Sequence, residues 1–152
     1  MRAHRRWLTA AALVLALGCG NGTPGPILAP RLDDVDGRFE YRADDGSGHP
    51  LLVGTVTLAV AQDSSITGTW AMRWAAGADT TAPVGPQVGT GTLAGHAGTE
   101  CSIINLNPGW ADNNVFLVLR RTADGLLAGQ WQHSTLVGVV AEGRFELRPL
   151  AQ

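Results

Sequence analysis

Ile66-Thr67-Gly68-Thr69-Trp70-Ala71-Met72-Arg73-Trp74 is the stretch that decides the fold. Ile66, Gly68, Trp70, Met72 and Trp74 share one face of an extended chain; Thr67, Thr69, Ala71 and Arg73 share the other. Successive side chains of a strand point to opposite sides, so this period of two reads as a strand with one buried and one wet face. The same period recurs outward from it. Val56, Leu58 and Val60 alternate with Thr55, Thr57 and Ala59 on one side, and Phe39, Tyr41 and Ala43 alternate with Arg38, Glu40 and Arg42 before them. Near the far end, Phe145 and Leu147 alternate with Arg144, Glu146 and Arg148. No window sustains a helical period of 3.6.

Eight strands are predicted, at about 37–43, 51–61, 66–74, 88–96, 99–106, 114–122, 126–133 and 138–148. The connections carry turn chemistry. Asp44 to Pro50 links the first pair and Asp63-Ser64-Ser65 the second. Asp124-Gly125 predicts a type I′ hairpin turn, because both residues tolerate a positive φ. Asn107-Pro108-Gly109 opens a longer loop, and Ala75 to Gln87, with Pro83 and Pro86, is the longest. The expectation is an all-β domain built as a single eight-stranded antiparallel up-and-down β-barrel, with a two-sheet β-sandwich as the alternative. A closed barrel removes edge strands, and eight strands enclose a space that side chains fill or that one small ligand occupies.

Two internal echoes support closure. Asp36-Gly-Arg-Phe-Glu-Tyr-Arg42 returns as Glu142-Gly-Arg-Phe-Glu-Leu-Arg148, so the first and last strands are fit to pair. Gly-x-aromatic occurs at Gly37/Phe39, Gly68/Trp70, Gly129/Trp131 and Gly143/Phe145, where a glycine leaves room for a neighbouring ring to lie over the backbone. Strand number, hairpin order and the Gly-Thr-Trp70 and Gly-Gln-Trp131 elements resemble the calycin-type barrels, the lipocalins and avidins. The resemblance implies a barrel and no particular ligand residues. The chain departs from lipocalins in having Phe39 on the first strand, where they keep such a tryptophan, and in ending without their helix.

The N-terminal end has its own pattern. Arg2, His4, Arg5 and Arg6 precede an apolar run from Trp7 to Leu17, and Gly18-Cys19 follows. The run has the length of a signal-peptide core and is too short to span a bilayer. The residues around Arg5-Arg6 do not suit a twin-arginine signal. Leu15-Ala16-Leu17-Gly18-Cys19 resembles the bacterial lipobox, in which the cysteine thiol is acylated, with palmitate-class chains, and the chain is cut just before it. That resemblance implies a signal peptide at 1–18, a lipidated Cys19 and a Gly/Pro tether at 19–30, ahead of a barrel domain at 31–152. Two or three acyl chains hold a protein firmly to a membrane, at about 0.8 kcal/mol per buried methylene. The expected location is the cell envelope. Gly20 stands where the family's inner-membrane proteins carry Asp, so the outer membrane, facing periplasm or cell surface, is preferred.

Charge and motifs narrow the function. After Cys19, eight arginines face 13 acidic residues, a net charge of −5, which argues against nucleic acid as a partner. His49, His96 and His133 show no metal-ligand spacing, the serines have no nucleophile elbow, and no cofactor motif is present. The expectation is therefore no enzyme, no metal and no cofactor. With Cys19 lipidated, Cys101 reads as a buried, inert thiol, with an intermolecular link or a reactive group as the alternatives. Trp70, Trp74, Trp131 and His133 are the candidates for lining an interior pocket, and Trp110 is the candidate loop contact. The leading reading is a non-enzymatic, membrane-anchored binding module for a small apolar ligand or an envelope partner. The alternative is a structural or assembly module with a filled barrel, acting through its loops and outer face.

Overall fold

The computed structural model describes residues 35–151. The expected signal peptide at 1–18 and the expected lipidation and tether segment at 19–30 lie outside them. Eight strands follow in order: β1 Gly37–Asp44, β2 Pro50–Val60, β3 Ser65–Trp74, β4 Gly89–Ala97, β5 Ser102–Asn105, β6 Asn114–Arg121, β7 Leu127–Thr135 and β8 Gly138–Pro149. Each pairs antiparallel with the next, and β1 pairs with β8, so the sheet is a closed up-and-down barrel. This excludes the two-sheet sandwich.

The closing seam explains the first echo. Its register sets Glu40 opposite Arg148, Arg42 opposite Glu146 and Asp44 opposite Arg144. All three outward pairs are of opposite sign. A slip of two residues would set like charges opposite each other, so the repeated Arg-x-Glu-x-Arg pattern fixes the register. On the inner side of the seam, the Tyr41 and Phe145 rings stack with centroids 5.8 Å apart.

The interior is filled with side chains. Tyr41, Leu52, Leu58, Ile66, Leu117, Trp131 and Leu147 are fully buried within one continuous apolar cluster. Rings lie over glycines, but on the neighbouring strand. A Cβ on Gly91 would sit 2.6 Å from the Trp70 ring, and a Cβ on Gly143 would sit 2.6 Å from Trp131 Nε1. Of the four Gly-x-aromatic glycines, Gly143 is the one that takes a neighbouring tryptophan this way.

Two expectations about local structure are corrected. The strand expected at 99–106 is only Ser102–Asn105. At its start, Gly98 N donates to Cys101 O at 3.0 Å and makes a turn; at its end, Asn105 Oδ1 accepts Asn107 N at 2.8 Å and bends the chain ahead of Pro108. The Asp124-Gly125 turn is not type I′. Only Gly125 has a positive φ, of 84°. Thr122 N bonds Leu126 O at 2.8 Å and Gly125 N bonds Thr122 O at 3.0 Å, which is a type I turn closed by a glycine bulge. Asp124 keeps a negative φ because its carboxylate accepts the Thr122 hydroxyl.

The up-and-down order sorts the loops by end. The β2–β3, β4–β5 and β6–β7 turns share one end with the start of β1. The β1–β2, β3–β4, β5–β6 and β7–β8 loops share the other. There the long β3–β4 loop plugs the barrel: Val84 and Gln87 are buried, Gln87 Oε1 accepts the Tyr41 hydroxyl at 3.0 Å, and Gln87 Nε2 donates to Val84 O at 2.7 Å. Burial pushes the Tyr41 phenol far above its usual pKa, so it stays protonated as the donor.

Turn aspartates set the acid response. Asp45 is held below its ordinary value by hydrogen bonds from His49, Asp63 by Ser65, Asp79 by Thr81 and Asp124 by Thr122. Carboxylates with depressed folded values stabilise above the ordinary value of 3.8 and lose that contribution as pH falls through the folded values. The denaturation midpoint should therefore hold steady from pH 7 to about 5 and fall below about 4. A midpoint that rises on acidification would contradict this.

Candidate functional site

β5 is shorter than the strand it follows, and a split in the wall results. β4 pairs with β5 only from Ala94 to Ala97, so Gly89 to Leu93 run without a β5 partner. Trp70 bridges the split. Its ring crosses Gly91, and its Nε1 donates to Leu106 O at 2.8 Å beyond the end of β5.

Outside Trp70 lies a cleft of about 360 Å³. Val88, Thr90 and Thr92 form one side, and Asn107, Pro108 and Trp110 form the other. No residue lining it carries a charge. Trp110 is 59% exposed, although a set of asparagines fixes its loop. Trp110 N donates to Asn107 O at 3.1 Å, Asn114 Nδ2 donates to Trp110 O at 3.2 Å, and Asn105 Nδ2 donates to Asn114 Oδ1 at 2.9 Å. Asn107 is 9% exposed, and its Oδ1 is the one buried side-chain polar atom among the described residues without a hydrogen-bond partner. Its Nδ2 reaches Pro86 O at 3.5 Å, so little holds the amide plane.

The sequence candidates separate. Trp131 is buried in the core and donates Nε1 to Asp44 O at 2.9 Å. Trp70 is buried with its N–H committed, and presents its ring to the cleft floor. Trp74 is half-buried at the end of β3 against the core. His133 is buried under the loops, with Nδ1 2.9 Å from Pro83 O and Nε2 against Asn113 Oδ1, so it braces two loops. Trp110 and Trp70 meet in one cleft; Trp74, Trp131 and His133 do not line it. Asn107 and Gln87 were not singled out by sequence. The turn sequence Asn107-Pro108-Gly109 leading to an aromatic was the available signal.

A second groove of about 410 Å³ runs over the closing seam between Arg42, Asp44, Arg144 and Glu146. Opposite charges face each other across its strands, and Arg42 is already ion-paired with Glu40 at 2.9 Å. Among the described residues no three His, Cys, Asp or Glu side chains are grouped to hold a metal ion. His96 and His133 stand at opposite ends of the barrel, since His96 pairs with Ser65 and Ile103, whereas His133 pairs with Val115 and Ala141. Cys101 is half-buried in the β4–β5 turn, rather than fully buried as expected. No helix among the described residues is long and apolar enough to cross a membrane. Comparison of the chain with protein-family models, curated proteins and solved structures finds no match.

Proposed function

We propose that the chain is a lipid-anchored envelope protein whose barrel is a non-enzymatic binding module, acting through the loop-end cleft rather than through its interior. The observation that carries this reading is an exposed Trp110, on a loop held by backbone hydrogen bonds, beside the unpartnered Asn107 Oδ1. A buried acceptor without a partner costs about 1–3 kcal/mol, and a bound group that satisfied it would regain that cost. The tethered geometry also supports it. β1 starts at the end opposite the cleft, so the chain enters the barrel away from it. Outer-membrane attachment is part of the proposal, on Gly20 after the cysteine.

The anchor has a direct test. The chain has two cysteines, and a disulfide between them would consume the thiol that the lipid needs. Mass spectrometry of the membrane-extracted protein should find an N-terminal Cys19 carrying diacylglycerol. An unmodified Cys19 in a chain two hydrogens lighter than its reduced form would sink the anchor. The binding role is tested by screening small neutral molecules against the mature chain and Trp110→Ala, where hits should be lost in the variant.

One observation favours the assembly reading. Leu136 and Val137, at the β7–β8 tip of the same end, are 84% and 90% exposed. On that reading the screen yields nothing, and replacing both by serine abolishes capture of an envelope partner while the fold survives.

A further inference from the structure

We infer that the loop-end cleft is a subsite for a neutral saccharide, a pyranose ring lying against Trp110. This rests on the binding reading above and names the ligand class. Three properties of the lining select it. First, none of the lining side chains is charged, so a charged ligand would give up its hydration without a counter-charge. Second, an aromatic face stands open on one wall, and the C–H face of a pyranose is flat, apolar and slightly positive, which suits the negative face of an indole. Third, the remaining recognition elements both donate and accept. Thr90 and Thr92 are exposed hydroxyls on a stretch of β4 that has no β5 partner, so its backbone groups on that side are open to a ligand. Asn107 adds an unpartnered acceptor. Sugar hydroxyls donate and accept at once, and they match such a mixed set better than an aliphatic chain does. A modest turn of the weakly held Asn107 amide presents Oδ1 to a sugar hydroxyl. The volume of about 360 Å³ suits one or two rings.

The test is calorimetric titration of the mature chain with cellobiose, N,N′-diacetylchitobiose, glucuronic acid and indole. A neutral disaccharide should bind, and glucuronic acid should bind at least about tenfold more weakly. Trp110→Ala should weaken the disaccharide about tenfold, with the circular dichroism spectrum unchanged. Asn107→Leu, which keeps the volume and removes the acceptor, should weaken it as well. Binding of indole alone, lost in Trp110→Ala, would overturn the saccharide assignment and leave the binding reading standing. Binding of glucuronic acid as tight as that of the neutral sugars would also overturn the assignment. No binding by any of the four probes would overturn both.

Discussion

Trp131→Ala should lower the unfolding free energy by about 3–5 kcal/mol. The ring is buried within the apolar cluster, so truncation leaves a cavity that a closed barrel wall cannot collapse to fill. It also removes the donor to Asp44 O, which holds the loop end of β1. Small domains have about 5–15 kcal/mol in all, so the variant should sit near the edge of folding. Urea denaturation followed by far-ultraviolet circular dichroism measures this without relying on the lost fluorophore. A cost below about 1 kcal/mol would mean that the interior around position 131 is not packed.

Gly143→Ala should also destabilise the barrel, by the opposite mechanism. Its Cβ would fall 2.0 Å from Asp44 O and 2.6 Å from Trp131 Nε1. The first neighbour is backbone and the second is a buried ring held by its own hydrogen bond, so neither can yield cheaply. The clash lies beside the β1–β8 seam, where Asp44 pairs with Arg144, and relief requires the strands to part. Overpacking of this kind costs about 1–3 kcal/mol or more, and soluble yield should drop with it. Gly109→Ala is the control. Nothing lies within 4 Å of its Cβ, and its stability should change by no more than about 0.5 kcal/mol. Equal stability of the two variants would contradict the close approach at Gly143.

The barrel was legible because its signal is redundant. Period-two alternation recurs in β1, β2, β3 and β8, and the echo of Arg38–Arg42 in Arg144–Arg148 marks the two strands that must meet. Alternation also placed Trp70 and Trp131 inward. What it could not convey was which inward ring reaches a gap in the wall. That depends on the shortness of β5, set by side-chain hydrogen bonds from Asn105 rather than by hydrophobic pattern. Asn107 looked like turn punctuation, because its burial arises only when the β3–β4 loop brings Pro86 against it. Gln87 shows the same limit: a polar residue at a loop end becomes fully buried because a tyrosine on β1, far away in sequence, offers it a hydroxyl. The type I turn at Thr122–Gly125 was missed because Asp-Gly tolerates both geometries, and the Thr122 hydroxyl decides between them.

The central claim is that ligands meet this barrel at its loop-end cleft and not inside it. The most direct measurement is a nuclear magnetic resonance titration of the mature chain with ¹⁵N-labelled tryptophan, using N,N′-diacetylchitobiose as the probe. The four indole N–H signals then report separately on Trp70, Trp74, Trp110 and Trp131. The Trp110 signal should move on titration, with a smaller response from Trp70 on the cleft floor, while Trp131 stays fixed and exchanges slowly with solvent. Movement of Trp131 with Trp110 unmoved would place the ligand inside the barrel and contradict the account.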